Sequence, residues 1–107
     1  MYKFGDILLL NFPFTGLSGV KKRPALFLLD AHDGDILVAR ITSKIWFTSE
    51  DISLKDWSVA GLLSNSCVRL TKLATLEKKL VERQLGTLSP QDLVAIEQKL
   101  SDIFTHL

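Results

Sequence analysis

Residues 11–24 read Asn-Phe-Pro-Phe-Thr-Gly-Leu-Ser-Gly-Val-Lys-Lys-Arg-Pro, between two short apolar runs at 7–10 and 25–29. Two strand-like runs joined by a Gly- and Ser-containing connection fold as a hairpin with a long loop. Pro13 holds Phe12 extended and ends ladder pairing there, because a proline has no N–H and crowds the residue before it. Gly16 and Gly19 give the loop backbone freedom. Lys21, Lys22 and Arg23 bring the chain back to the second strand, with Arg23 held extended by Pro24. A polar loop that ends in a fixed guanidinium suits an anion site. A hairpin with merely solubilising charges is the bland alternative.

The rest of the chain limits what this hairpin can belong to. With 107 residues, nearly half of them apolar, the sequence reads as one domain over 1–107 with a real core. A domain of this size is marginal in surface-to-volume terms, so a homodimer would help it. Thirteen basic against twelve acidic residues give a net charge of +1. Any RNA or DNA contact must therefore be local, since the balance is too even to hold nucleic acid by bulk charge. The single cysteine, Cys67, excludes an internal disulfide and a Cys-based zinc motif, and reads as a buried inert thiol. His32 and His106 have no ligand-spaced partners, so no metal and no cofactor are expected. No apolar run approaches membrane-spanning length and no signal-peptide pattern opens the chain, which points to a cytoplasmic protein.

The first strand is expected over 7–12, the second over 24–30 and the third over 36–42, with Asp33-Gly34 as the turn between the last two. Asp30, Asp33 and Asp35 fit that turn better than a metal cup. Residues 51–54 could form a short strand, 66–71 another and 81–85 a last one closed by Gly86, while 73–80 is ambiguous. Trp46, Phe47 and Trp57 have no clear period and suit the core, an interface or base stacking. Ser89 as N-cap, Pro90 at the first helical position and Asp92 three residues after the cap start a helix. Its apolar stripe is Leu93, Ile96, Leu100, Ile103, Phe104 and Leu107. The architecture expected is a mainly β fold, a small curved antiparallel sheet or barrel closed by a C-terminal α-helix.

Counting back from the Asp33-Gly34 turn puts Arg23-Pro24 opposite Thr42-Ser43. Arg23 and Thr42 then meet at one sheet edge, below the loop. A guanidinium beside a hydroxyl can grip a phosphate bidentately and donate a further hydrogen bond. That is a phosphate-recognition site, or one that stabilises a phosphorane-like transition state.

The stretch Gly5-Asp6-Ile7-Leu8-Leu9-Leu10-Asn11-Phe12-Pro13-Phe14-Thr15 resembles the opening of the MazF/PemK-like toxins. Lys22-Arg23-Pro24-Ala25, Ile41-Thr42-Ser43, Ser66-Cys67-Val68-Arg69-Leu70, Leu73-Ala74-Thr75-Leu76 and Leu85-Gly86-Thr87-Leu88-Ser89 follow at the family's separations. The resemblance covers about residues 3–104. It implies a homodimeric SH3-like barrel of the MazF/CcdB type, the toxin of a type II toxin–antitoxin pair. Such a toxin is a metal-independent, sequence-specific endoribonuclease that cuts single-stranded RNA, mostly messenger RNA, by attack of a 2′-hydroxyl on its own phosphate. Its partner is a cognate protein antitoxin that threads into the RNA groove.

The same resemblance maps the catalytic pair onto Arg23 and Thr42. Ser43 and Arg69 are further catalytic or RNA-binding candidates. Phe14, Lys21, Lys22 and Arg40 would contact RNA, with Trp46 and Phe47 available for stacking. Arg23 suits charge stabilisation rather than proton acceptance, given its very high pKa. Two departures stand out. The loop lacks a histidine found in some members, and Thr71 stands where some have an aspartate two residues after the arginine matched by Arg69. No general base is identified. The competing expectations are a CcdB-like gyrase poison that is not an enzyme, and a catalytically inactive barrel serving as a binding module.

Overall fold

A computed structural model of the protein describes residues 1–13, 20–44 and 48–107. Phe14, Gly16, Gly19, Trp46 and Phe47 lie outside the described residues. The elements run β1 (Asp6–Pro13), β2 (Val20–Asp30), β3 (Asp35–Thr42), β4 (Asp51–Ser53), β5 (Cys67–Glu77), a 3-10 turn (Lys78–Leu80), β6 (Val81–Thr87) and α1 (Pro90–Thr105). All pairings are antiparallel, in the spatial order β4-β5-β3-β2-β1-β6. The expected mainly β fold with a C-terminal helix is the fold observed.

Alternation along the strands splits the buried apolar residues between the two sheet faces. One face carries Ile7, Leu26, Ala39, Ile41, Val68 and Leu70, and α1 covers it through Ile96, Leu93, Leu100 and Ile103. The other carries Leu8, Leu10, Ala25, Phe27, Ile36 and Val38, against Tyr2, Leu76 and Val81. Each fully buried aliphatic side chain contributes roughly 1.5–3 kcal/mol to folding.

Bulges bend the sheet. In β2–β3 the register skips Leu28, in β1–β6 it skips Leu85 and Glu82, and β5 carries 70–72 as extra residues between its pairings with Arg40 and Ala39. This long bulge resolves the ambiguity over 73–80. The strand expected to end at Thr71 absorbs the extra residues and pairs on with β3 as far as Glu77.

The open edges are drawn together by the connection between β4 and β5. Gly61 has φ 89°, and a Cβ there would sit 2.2 Å from the Leu85 carbonyl oxygen. A Cβ on Gly86 would sit 2.3 Å from the Ala60 carbonyl oxygen. Main chain thus lies directly on main chain, an approach that only paired glycines permit.

The helix start differs from expectation in one respect. Ser89 caps α1 by accepting from the Asp92 N–H at 3.2 Å, and Pro90 opens the helix. The Asp92 carboxylate, however, turns away from the cap. It is buried and accepts the backbone N–H groups of Lys55 (3.0 Å) and Asp56 (2.8 Å). It anchors the β4–β5 connection to the helix, which is a tertiary role that no local pattern encodes. The apolar stripe also ends early, because Phe104 and Leu107 are exposed while Leu93 to Ile103 pack on the core.

Candidate functional site

Pro24 brings no N–H to a further rung, and the β2–β3 ladder stops one residue short of it, at Ala25↔Arg40. β2 continues beside β1, with Pro24 opposite Leu9 and Arg23 opposite Leu10. β3 continues beside β5, with Thr42 opposite Cys67. Where the two strands part, a cavity of about 810 Å³ opens. The bulge at Leu28 changes the simple turn count by one residue. Continuing the observed register would set Arg23 opposite Thr42 rather than opposite Ser43.

Five of the residues singled out from the sequence line this cavity: Lys22, Arg23, Arg40, Thr42 and Ser43. Arg23 lies two residues from Ala25, and Thr42 two from Arg40, so alternation puts both on the face that carries Ala25 and Val38. The Thr42 Oγ1 accepts the Lys44 N–H at 3.1 Å, which fixes the hydroxyl and leaves its proton to donate. Arg23 and Arg40 are exposed, and neither has a hydrogen-bonding or ionic side-chain partner among the described residues. Lys22 Nζ pairs with Glu82 at 2.9 Å.

The remaining candidates sit elsewhere. Arg69 donates from Nε to Asp51 Oδ1 at 3.2 Å, a pair tying β5 to β4 in which the side chains are 12% and 2% exposed. It does not line the cavity, and nor does Lys21, an exposed residue of β2. Phe14 lies outside the described residues. Thr71 is exposed within the β5 bulge. Cys67 is buried, its Sγ 3.7 Å from the Lys44 carbonyl oxygen.

Two cations of the cavity were missed in the sequence, Lys72 and Arg83. Arg83 pairs with Leu9 on β1 and lies between Glu82 and Gln84, a polar stretch that reads from the sequence as a solvated strand face. Lys72 reaches the cavity through the β5 bulge, for which the sequence has no signature. The opposite wall is Gly61, Leu62, Leu63 and Ser64, and Leu63 is 98% exposed.

The described lining includes no carboxylate and no imidazole. Residues 14–19 and 45–47 add neither type to the sequence. The cavity therefore offers guanidinium, ammonium and hydroxyl donors, a set that binds anions and stabilises developing negative charge. It has no oxygen-rich cage for a hard divalent cation, and no group of three or more metal-ligating side chains occurs among the described residues. In the β2–β3 turn, the Asp30 carboxylate accepts the His32 N–H at 2.8 Å and Asp33 accepts the Asp35 N–H at 3.0 Å. The Lys78 ammonium and the His32 N–H hold Asp30 below the usual carboxylate range. No helix among the described residues is long and apolar enough to cross a membrane.

The chain is similar in fold to several solved toxins. One is a mycobacterial endoribonuclease in complex with its cognate antitoxin, at 16% identity and TM-score 0.75, covering 98% of this chain and 96% of that one. Another is the Mycobacterium tuberculosis toxin MazF-mt6, at 22% identity and TM-score 0.74, covering 94% and 96%. A third is the MazE–MazF complex of Deinococcus radiodurans, at 22% identity and TM-score 0.75, covering 97% and 96%. No curated protein sequence matches. At the level of the family, the match runs over residues 3–104 of the 107, and the chain belongs to the PemK-like, MazF-like toxins of type II toxin–antitoxin systems.

Proposed function

We propose that this toxin is an endoribonuclease that cuts single-stranded RNA at a short recognition sequence, without a metal ion. The observation that carries the reading is the cavity itself. Arg23 and Thr42 line one cleft with further cations, and no carboxylate lies among its described lining. An RNA phosphate is the anion such a set suits, and it brings its own nucleophile.

In this reading the 2′-oxygen attacks the adjacent phosphorus and the bond to the 5′-oxygen breaks. The products are a 2′,3′-cyclic phosphate and a 5′-hydroxyl. Arg23 donates to the non-bridging oxygens as charge builds in the transition state, and a guanidinium stays charged throughout. Thr42, with Ser43 beside it, orients the phosphate or the 2′-hydroxyl. The nucleophile's proton passes to solvent, since the described lining holds no carboxylate and no imidazole to accept it, and the leaving 5′-oxygen takes a proton from solvent in exchange. Lys21, Lys22 and Arg40 hold flanking phosphates, and Phe14 stacks on a base. Arg69 belongs to the scaffold of β4 and β5 in this scheme.

The partners are messenger RNA, a cognate antitoxin and a second copy of the chain. The antitoxin is supported by the fold shared with the Deinococcus toxin solved with MazE. The test is cleavage of a long single-stranded RNA by purified protein in EDTA, with the cuts mapped by primer extension. Cuts recurring at one short sequence, and lost in Arg23→Ala, are expected. A well-folded protein that leaves the RNA intact would return the reading to a binding module or a gyrase poison.

A further inference from the structure

Glu82 stands just outside the cavity. It is the residue skipped by the β1–β6 register between Leu9↔Arg83 and Leu10↔Val81. A bulged residue is re-aimed relative to its neighbours. Here the side chain reaches across β1 to Lys22 of β2, at 2.9 Å, with the two side chains 34% and 56% exposed. Lys22 precedes Arg23 and lines the cavity, whereas Glu82 does not. A carboxylate is thus placed on one cation of a site whose other cations, Arg23, Arg40, Lys72 and Arg83, have no ionic partner among the described residues.

We propose that Glu82 is a built-in competitor for the phosphate position at Lys22, so that RNA must displace the Glu82–Lys22 pair to use that cation. This rests on the ribonuclease reading. A carboxylate and a phosphate oxygen want the same ammonium, and the pair is exposed enough to exchange. Glu82 therefore lowers affinity for RNA in general and removes one cation from the salt-sensitive set. It also confines tight binding to RNAs that engage the remaining contacts well.

The test is binding of a 2′-O-methyl RNA, which cannot be cut, at several salt concentrations. Wild type, Glu82→Gln, Lys22→Gln and the double variant are compared. Glu77→Gln is the control, because Glu77 pairs with Lys79 at 3.2 Å away from the cavity. Glu82→Gln is expected to bind about two- to five-fold tighter at low salt, the scale of one exposed ion pair. The slope of log affinity against log salt should steepen by about 0.7, the value for one more phosphate contact on a single strand. The gain should vanish in the Lys22→Gln background and be absent in Glu77→Gln. An unchanged Glu82→Gln, or a gain that survives without Lys22, overturns the proposal while wild-type binding leaves the ribonuclease reading standing. A wild type that neither binds nor cuts RNA overturns both.

Discussion

The helix side of the sheet and the cleft side treat charge in opposite ways. On the helix side, Asp92 is buried with two backbone N–H donors; at the start of β1, outside the cleft lining, Asp6 is likewise buried with donors from Lys3 and Thr87. No buried side-chain polar atom among the described residues is left without a partner. On the cleft side, Arg23, Arg40, Lys72 and Arg83 crowd one opening with no carboxylate of their own. Like charges held together cost folding energy, and solvent recovers only part of it. The molecule is thus tightly satisfied where it needs rigidity. It leaves positive charge uncompensated at the mouth of the cleft.

Substitutions on the two sides should separate cleanly. Arg23→Ala should lower cleavage by about 10²–10³-fold, the scale of one lost transition-state donor, while the thermal midpoint holds or rises slightly. A parallel fall in stability would make Arg23 part of the scaffold and break the contrast. Gly61→Ala should do the reverse, costing about 3 kcal/mol in denaturant unfolding, since the new Cβ meets the Leu85 carbonyl at a positive φ. Asp92→Ala should cost about 2 kcal/mol, because it strands the N–H groups of Lys55 and Asp56. Any cleavage that survives should keep its cut sites, as the cations are untouched.

The smallest effect is a pH effect. Burial pushes the Asp6 carboxyl up, but the Lys3 N–H, the Thr87 hydroxyl and the Lys3 ammonium outweigh it, and the group sits below its usual range. A depressed carboxyl stabilises the fold above the unfolded-state value of about 4, and that stability is lost as the pH falls through the folded-state value. Wild type should therefore exceed Asp6→Asn in stability at neutral pH, and the difference should shrink on acidification below about pH 4. A constant difference would mean that Asp6 acts through shape rather than charge.

The parts legible in the sequence were those with a local cause. Ser89 and Pro90 announced the helix and Asp33-Gly34 the β2–β3 turn, whereas β2 begins at Val20, ahead of the start expected at Pro24. The residues that resemble the family's motifs pointed to the right fold. Bulges were not legible, because an extra residue in a strand leaves no compositional mark. That is why β5 seemed to end at Thr71, and why Lys72 and Glu82 drew no notice. Long-range carboxylate contacts were hidden for the same reason. Asp92 looked like a capping residue, yet its partners are 36 and 37 positions away. The pairing of Arg69, a catalytic or RNA-binding candidate, with Asp51 on β4 is likewise a long-range contact that no local pattern shows.

The contact between Gly61 and Gly86 has a consequence for tailoring the molecule. Main chain on main chain acts as a fixed spacer, so the wall that carries Leu62, Leu63 and Ser64 stands at a distance no side chain sets. The frame and the lettering on it are separate. Leu63 could be exchanged for a polar, aromatic or charged residue without moving the wall. A small library at that one position would vary the chemistry of the wall while the width of the cleft stays constant.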